Sequence, residues 1–243
     1  MSIGIIIPTY NEKQNLPLLV DRLRALPLED LRILVIDDNS PDGTGAVADE
    51  LAARFPDCVS VLHRSGKLGL GSAYISGFKH MLANGCDLIG QMDADFSHQP
   101  EKFTEFVAAI EGHDVVFGSR YIPGGSLDHD WPAWRKGLSH FGNTYARAIL
   151  GIPVKDLTGG FRLWRREALD IIPWERVRAN GYVFMVEMAY VAYKLGLHIK
   201  EVPIYFAERK MGKSKMNFSI QVEAALRVWG LLTRYRDLKP PKI

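Results

Sequence analysis

The chain is poor in cysteine. Its 243 residues hold two, Cys58 and Cys86, and neither belongs to a C-x-x-C pair or a metal-ligand spacing. That excludes a disulfide framework and suits two buried thiols in a reducing compartment. No apolar run approaches the roughly 20 residues that cross a bilayer. No basic segment precedes the opening Ile3-Gly4-Ile5-Ile6-Ile7, so a secretory leader is not expected and a cytoplasmic location is. Charge of one sign is scarce too: 30 Lys and Arg against 28 Asp and Glu leave a net +2. With no global field, nucleic acid is not expected as a partner. The dinucleotide fingerprint is missing, since Pro8-Thr9-Tyr10 follows the first strand and Tyr74 stands where Gly69-Leu70-Gly71 would need a third glycine. Gly212-Lys213-Ser214 resembles the end of a P-loop, but Ala207 occupies the place of its leading glycine. No Ser-His-Asp or Cys-His arrangement stands out, and His98 and His140 read as turn or core residues.

Short apolar runs alternate with helical patterns. Strands are predicted at 3–7, 31–36, 59–63, 87–92, 115–119 and 198–206, a Gly-rich turn into a strand at 158–163, and helices at 15–26, 44–55, 71–83, 100–111, 136–150 and 182–195. Residues 121–136 read as a loop, and 39–43 and 124–130 as mobile loops. The β-α-β-α order predicts an α/β fold with a mostly parallel sheet and helices on both faces. Such sheets bind ligands beyond the carboxyl ends of their strands. Three of the four segments found there, 8–12, 37–40 and 93–95, carry carboxylates.

Asp93 and Asp95 follow a strand. In extended backbone, residues i and i+2 point the same way, so both carboxylates converge, and hard oxygen donors suit Mg²⁺ or Mn²⁺. A solvated turn with one capping aspartate is the alternative. One carboxylate of Asp37-Asp38 can accept from a nucleobase edge, or close an Asx-turn toward Gly43. Tyr10 offers a stacking face and Glu12 an acceptor, while Asn11 as N-cap and Glu12 in a first turn would open a helix. Residues 207–215, Ala-Glu-Arg-Lys-Met-Gly-Lys-Ser-Lys, form either a basic loop that closes over a diphosphate or a solvated charge run. Arg120 and Arg135 flank the 121–136 loop and can take a second phosphate. From Phe218 to Tyr235 a helix is expected with a narrow stripe of Ser219, Glu223, Arg227, Gly230 and Arg234 in an apolar surround. It docks on the protein's own core, or on a membrane surface or partner.

In this order the motifs resemble the family 2 glycosyltransferases of GT-A fold, and within them the dolichol-phosphate mannosyltransferase (polyprenol monophosphomannose synthase) branch. The matching text is Pro-Thr-Tyr-Asn-Glu at 8–12, Ile-Asp-Asp-Asn-Ser-Pro-Asp-Gly-Thr at 36–44, Lys-Leu-Gly-Leu-Gly-Ser-Ala-Tyr at 67–74 and Met-Asp-Ala-Asp-Phe-Ser-His at 92–98. It continues with Gly-Ser-Arg-Tyr at 118–121, Asp-Leu-Thr-Gly-Gly-Phe-Arg-Leu at 156–163, Gly-Tyr-Val-Phe at 181–184, Glu-Val-Pro-Ile at 201–204 and Gly-Lys-Ser-Lys at 212–215. The resemblance covers roughly residues 3 to 217. It implies a GT-A domain at 1–217, followed by an amphipathic helix and tail at 218–243.

It further implies that Pro8, Tyr10, Glu12, Ile36 and Asp38 bind the guanosine of GDP-mannose. Asp93, Ala94 and Asp95 would hold Mg²⁺ or Mn²⁺ and the nucleotide sugar, and Arg120, Arg209 and Lys215 would contact phosphates. Arg135 is added from the residues alone, as a ligand of the acceptor phosphate. The chain departs from some relatives at Ser97, where they carry Gln, and at Asn39, where many carry Gly. The implied activity is inverting transfer of mannose from GDP-mannose to a polyprenyl phosphate on the cytosolic face of a membrane, with a membrane-anchoring partner protein possible. The alternatives are a UDP-glucose-dependent polyprenyl-phosphate glucosyltransferase and a non-catalytic nucleotide-binding scaffold.

Overall fold

The elements run β1 Ile3–Thr9, α1 Leu16–Arg24, β2 Leu31–Asp37, α2 Thr44–Arg54, β3 Val59–His63, α3 Leu70–Ala83, β4 Leu88–Gln91, α4 Lys102–Ala109 and β5 Val115–Ser119. They continue β6 Ser126–Leu127, α5 Ala133–Leu150, β7 Arg162–Arg165, α6 Arg166–Asp170, α7 Tyr182–Lys194, β8 Ile199–Pro203, β9 Tyr205–Phe206 and α8 Phe218–Arg234. The structure, a computed structural model, describes residues 1–208 and 218–240, the side chains of Tyr182 and of residues 218–225 excepted.

Seven strands form one sheet in the order β3-β2-β1-β4-β7-β5-β8, and β6 pairs with β9 in a two-stranded ribbon. Successive side chains of a strand point to opposite faces, and here each face meets a helical layer. Ile3, Ile5 and Ile7 of β1 join Ile33 and Val35 of β2 in a core with Leu16, Leu19, Val20 and Leu23 of α1 and Phe103 and Phe106 of α4. Ile6, Leu34 and Ile36 face the other core, with Tyr74 and Phe78 of α3, Phe184 and Met188 of α7, and Val228, Leu231 and Tyr235 on and just after α8. Strands buried on both faces are the physical reason for near-continuous apolar runs. Each such side chain contributes roughly 1.5–3 kcal/mol when taken from water. At Gly77 a Cβ would lie 2.6 Å from Ile6 Cγ2 and 2.8 Å from Ile36 Cδ1. The missing side chain is what lets α3 press against β1 and β2.

The α/β reading with helices on both faces holds, with local corrections. β7 runs antiparallel to both β4 and β5, and all other pairs in the sheet are parallel. The strand expected at 198–206 is two, because Ile204 interrupts it and the chain then pairs Tyr205 and Phe206 with β6. The 124–130 loop accordingly contains a strand. Helix α5 starts at Ala133, three residues before the expected 136, with Pro132 as its N-cap residue. Helix α1 starts at Leu16, and Asn11 does not cap it, having φ 61°. Cys86 is buried, whereas Cys58 is only partly so. Helix α8 docks against α5 and α7 and shares their core. Among the described residues no helix is long and apolar enough to cross a membrane.

The sheet order reverses between β1 and β4: the chain builds outward through β2 and β3, then returns to the other side of β1. A crevice beyond the carboxyl ends follows at that point.

Candidate functional site

Three adjacent strands deliver their ends to this crevice side by side. Thr9 and Asp37 are register partners, the Asp38 N–H donates to the Thr9 carbonyl at 3.1 Å, and the Met92 N–H donates to the Ile6 carbonyl at 3.3 Å. Tyr10, Asp38 and Asp93 thus leave neighbouring strands on one edge.

The two aspartates after β2 divide their work. Asp37 builds the turn: its carboxylate accepts from the Ser40 N–H at 3.0 Å, the Ser40 hydroxyl at 2.5 Å and the Thr9 hydroxyl at 3.2 Å. Asn39 carries the turn through the left-handed region at φ 57°, which glycine or asparagine tolerates. Asp38 instead meets Arg64 at 2.7 Å, and Arg64 also donates to the Gly69 carbonyl at 3.2 Å and the Ser72 hydroxyl at 2.5 Å. Burial raises the Asp38 carboxyl, and the Arg64 charge opposes that rise. Tyr10 is half-buried, with Lys67 Nζ 4.5 Å from its ring centroid. Glu12 accepts from the Asn15 side chain at 2.7 Å, and its own N–H donates to the Thr44 hydroxyl at 2.9 Å. Pro8 is half-buried in β1, opposite Ile36. The Ile36 side chain is fully buried in the core beneath the crevice, so nothing of that side chain faces a nucleotide.

Strand β4 ends at Gln91, so the alternation argument for Asp93 and Asp95 does not apply: residues 94–98 bend, and Phe96 has φ 63°. The two carboxylates are nonetheless neighbours of one group. Burial and the charges of both Asp93 and Asp95 hold the Tyr74 hydroxyl well above its ordinary range. Asp95 is buried, and its Oδ1 accepts from the Ser97 N–H at 3.0 Å and the Ser97 hydroxyl at 2.6 Å. Ala94 between them is buried as well. The Asp93 N–H donates to His98 Nδ1 at 3.1 Å, and the His98 ring stacks on Phe161 with centroids 4.8 Å apart. Burial depresses His98 to about 4 against the pull of Asp95, so it is a neutral acceptor bracing the loop. Among the described residues no group of three or more His, Cys, Asp or Glu gathers as a ready-made metal cage. Two hard carboxylates of negative potential, with further oxygens supplied by water and phosphate, are the donor set of a hard dication such as Mg²⁺.

Arg120 is almost wholly buried, and its fork grips Asp156, Nε to Oδ2 and Nη2 to Oδ1, both at 2.7 Å. Nη2 also donates to the Thr158 hydroxyl at 2.7 Å. Burial would lower the Arg120 pKa, but the charge and hydrogen bonds of Asp156 hold it above its ordinary value. Arg135 lies 3.6 Å over the Trp131 ring and donates from Nη1 to both oxygens of Glu208 at 2.9 Å. Glu208 is further tied by its N–H to Asp128 at 2.7 Å, and the Ala207 N–H donates to the Ser97 carbonyl at 3.1 Å. The basic segment therefore starts on the Asp93–His98 loop. Arg209 and Lys215 lie outside the described residues. The partners Arg64, Asp156, Thr158 and Glu208 escaped the sequence reading, whereas His98 is the buried turn residue it expected. The available signal was that buried charges at strand ends need counter-ions.

A model described as Glycosyl transferase family 2 matches residues 4–172. Polyprenol monophosphomannose synthase of Mycolicibacterium smegmatis is 47% identical over 234 residues, 95% of this chain and 87% of that protein. Undecaprenyl-phosphate mannosyltransferase of Micrococcus luteus is 46% identical over 242 residues, 98% of each. Among solved structures, glucosyl-3-phosphoglycerate synthase from Mycobacterium tuberculosis, in complex with Mn²⁺, UDP and glucosyl-3-phosphoglycerate, superposes with a TM-score of 0.64 at 20% identity. That superposition covers 99% of this chain and 81% of the other, and at such identity it speaks for the GT-A-type fold alone.

Proposed function

The chain belongs to glycosyl transferase family 2, and we propose that it transfers mannose from GDP-mannose to a polyprenyl phosphate with inversion at the anomeric carbon. The observation that carries this reading is the meeting of Tyr10, Asp38 and the Asp93–Asp95 loop at the strand-order reversal, with Ala207 hydrogen-bonded to that loop. The names of the two mannosyl-transferring relatives support the sugar and the lipid phosphate.

Each residue then has a defined task. Tyr10 stacks on the base, and Asp38, oriented by Arg64, accepts from the base edge, with Pro8 and Glu12 beside them. Guanine presents two adjacent N–H donors to a carboxylate where uracil presents one. Asp93 and Asp95, with Ala94 between them, would hold a divalent cation, Mg²⁺ or Mn²⁺, which supplies positive charge to the departing diphosphate. The acceptor phosphate is already anionic, so no strong general base is needed. Arg209 and Lys215 would stabilise the leaving group, and Arg120 and Arg135 the incoming phosphate. A basic segment starting at Ala207 would cover the site and exclude water. Incubation with a divalent cation, polyprenyl phosphate and either GDP-mannose or UDP-glucose, followed by lipid extraction, tests this. Labelled lipid from GDP-mannose only is expected; glucosyl lipid in its place would transfer the reading to the other donor.

The lipid acceptor calls for a membrane surface, and one face fits. Trp134 and Phe141 on α5 are 70% and 66% exposed, and Leu226 and Trp229 on α8 are 70% and 55% exposed. Trp134, Phe141 and Tyr145 recur at helical spacing, and Trp229 Nε1 donates to the Tyr145 hydroxyl at 2.9 Å, joining the two helices. Aromatic residues of this kind favour the bilayer interface. Trp134→Ser/Phe141→Ser should lower transfer to polyprenyl phosphate in protein-free vesicles about tenfold or more. Its rate with a short, water-soluble acceptor and its melting temperature should stay at the wild-type level. Wild-type protein that ignores protein-free vesicles would point to an anchoring protein on this face instead.

A further inference from the structure

Of the two arginines assigned to the incoming phosphate, one holds an anion it can exchange and the other does not. Resting on that assignment, we propose that the Glu208 carboxylate keeps the place of the acceptor phosphate on Arg135. It leaves when the lipid phosphate binds and returns when the mannosylated product departs.

Both arginines border one ring. Arg120 lies 5.2 Å from the Phe206 centroid, and the Trp131 and His98 rings lie 5.7 and 5.4 Å from it. Arg135 sits 3.6 Å over Trp131, and His98 accepts from the Asp93 N–H. Two aromatic rings therefore separate Arg135 from the Asp93–His98 loop. An arginine offers five N–H donors in a fork that fits a carboxylate or a phosphate. On Arg120 the Nε–Nη2 edge is filled by Asp156, and both side chains are buried. That anion cannot leave without stranding a buried charge. On Arg135 only Nη1 is engaged, by the two oxygens of Glu208, and Nε and Nη2 make no hydrogen bond among the described residues.

The Arg135 and Glu208 side chains are 29% and 43% exposed, and a pair so close to water is weak. Trp131, itself buried, holds the guanidinium by its ring face when the carboxylate swings away. The backbone need not follow: the Glu208 N–H stays on Asp128, and the Ala207 N–H stays on the Ser97 carbonyl.

Charge decides which anion Arg135 keeps. A phosphate monoester carries about −1.5 to −2 near neutral pH, and a carboxylate carries one charge. An anion on the open edge would lie within a guanidinium's width of Glu208, so the two repel even on different N–H groups. In the transfer, an oxygen of the lipid phosphate bonds to the anomeric carbon as the bond from that carbon to the GDP oxygen breaks. GDP leaves with the electron pair, and the lipid phosphate becomes a diester of single charge. Its advantage over Glu208 is then gone, and the carboxylate reclaims Arg135.

The test is Glu208→Gln, which keeps a side-chain acceptor and removes the charge, alone and combined with Arg135→Gln. Binding of inorganic phosphate is measured by calorimetry, and transfer is measured with a short, water-soluble prenyl monophosphate. Glu208→Gln should bind phosphate about three- to fivefold more tightly and lower the acceptor KM by a similar factor. The mannosylated product should inhibit it more strongly to the same extent. Its KM for GDP-mannose and its melting temperature should stay at the wild-type level. In the Arg135→Gln background the same substitution should change neither phosphate binding nor acceptor KM. Unchanged or weaker phosphate binding by Glu208→Gln overturns the inference, since Glu208 would then only orient Arg135. A gain that persists without Arg135 overturns it too, as a general effect of charge. Phosphate binding needs no turnover, so a wild-type protein that transfers no mannose would end the functional reading and leave this inference to be decided by calorimetry.

Discussion

Asp95→Asn is expected to reduce mannosyl transfer by about three orders of magnitude while the protein keeps its fold. The substitution is chosen because it spares the local structure. An asparagine oxygen still accepts from Ser97, whose N–H and hydroxyl reach Asp95 Oδ1 at 3.0 and 2.6 Å, so the bend through Phe96 has its brace. What is lost is one negative charge beside Asp93, in a buried setting where electrostatic terms are strongest. Removing a group that supports developing charge typically costs 10²–10³ in turnover, roughly 3–4 kcal/mol, and loss of the cation itself costs more. Transfer of labelled mannose, scored at saturating Mg²⁺ or Mn²⁺, is the readout. Metal-dependent GDP binding should fall with it, whereas the melting temperature should not. Turnover within tenfold of wild type would end the metal role of this pair.

The sequence carried the fold further than it carried the site. Apolar runs such as Ile3–Ile7 and Val115–Ser119 are legible because strands buried on both faces leave no room for polar residues. The direction of β7 was not legible. Arg162-Leu163-Trp164-Arg165 is too short to encode whether it runs with or against β4, and that choice depends on the length of chain before it. The start of α5 was misplaced because Trp131-Pro132 reads as loop, although proline suits the first turn of a helix. For the site, Asp93 and Asp95 were legible as residues but not as geometry, since the chain turns where extension was assumed. The partners were hidden for another reason. Arg64 stands 26 residues from Asp38, and Asp156 stands 36 from Arg120. Only the folded topology brings them together, and only burial makes the pairing obligatory.

Asp156→Asn is expected to be the most destabilising single change near the crevice, and Arg120→Met a milder one. One carboxylate serves two guanidiniums here. Asp156 is fully buried and holds Arg120 by two 2.7 Å hydrogen bonds, and its charge also supports Arg162. Arg162 is itself fully buried, donates to the Gly159 and Leu157 carbonyls, and is pushed down to about 9 by burial despite Asp156. Removing the carboxylate charge takes from two buried cations the one anion they share. Breaking a buried pair in this way costs about 3–5 kcal/mol, which for a chain of this size lowers the melting temperature by about 6–20 °C. Removing Arg120 leaves Asp156 with Arg162 still near, so Arg120→Met should cost at least about 1 kcal/mol less. The acid limb follows the same logic. Despite its burial, Arg120 holds the Asp156 carboxyl below its ordinary 3.8, so the unfolded chain takes up the proton first. The pair's contribution is present above that value and is lost as pH falls below it. Differential scanning of both variants decides the ranking, and equal losses would remove the shared-carboxylate account. Transfer by Arg120→Met, measured well below its melting temperature, then separates two roles. Activity lost with the fold intact assigns Arg120 to the acceptor phosphate; retained activity confines it to holding β5 against the 156–158 turn.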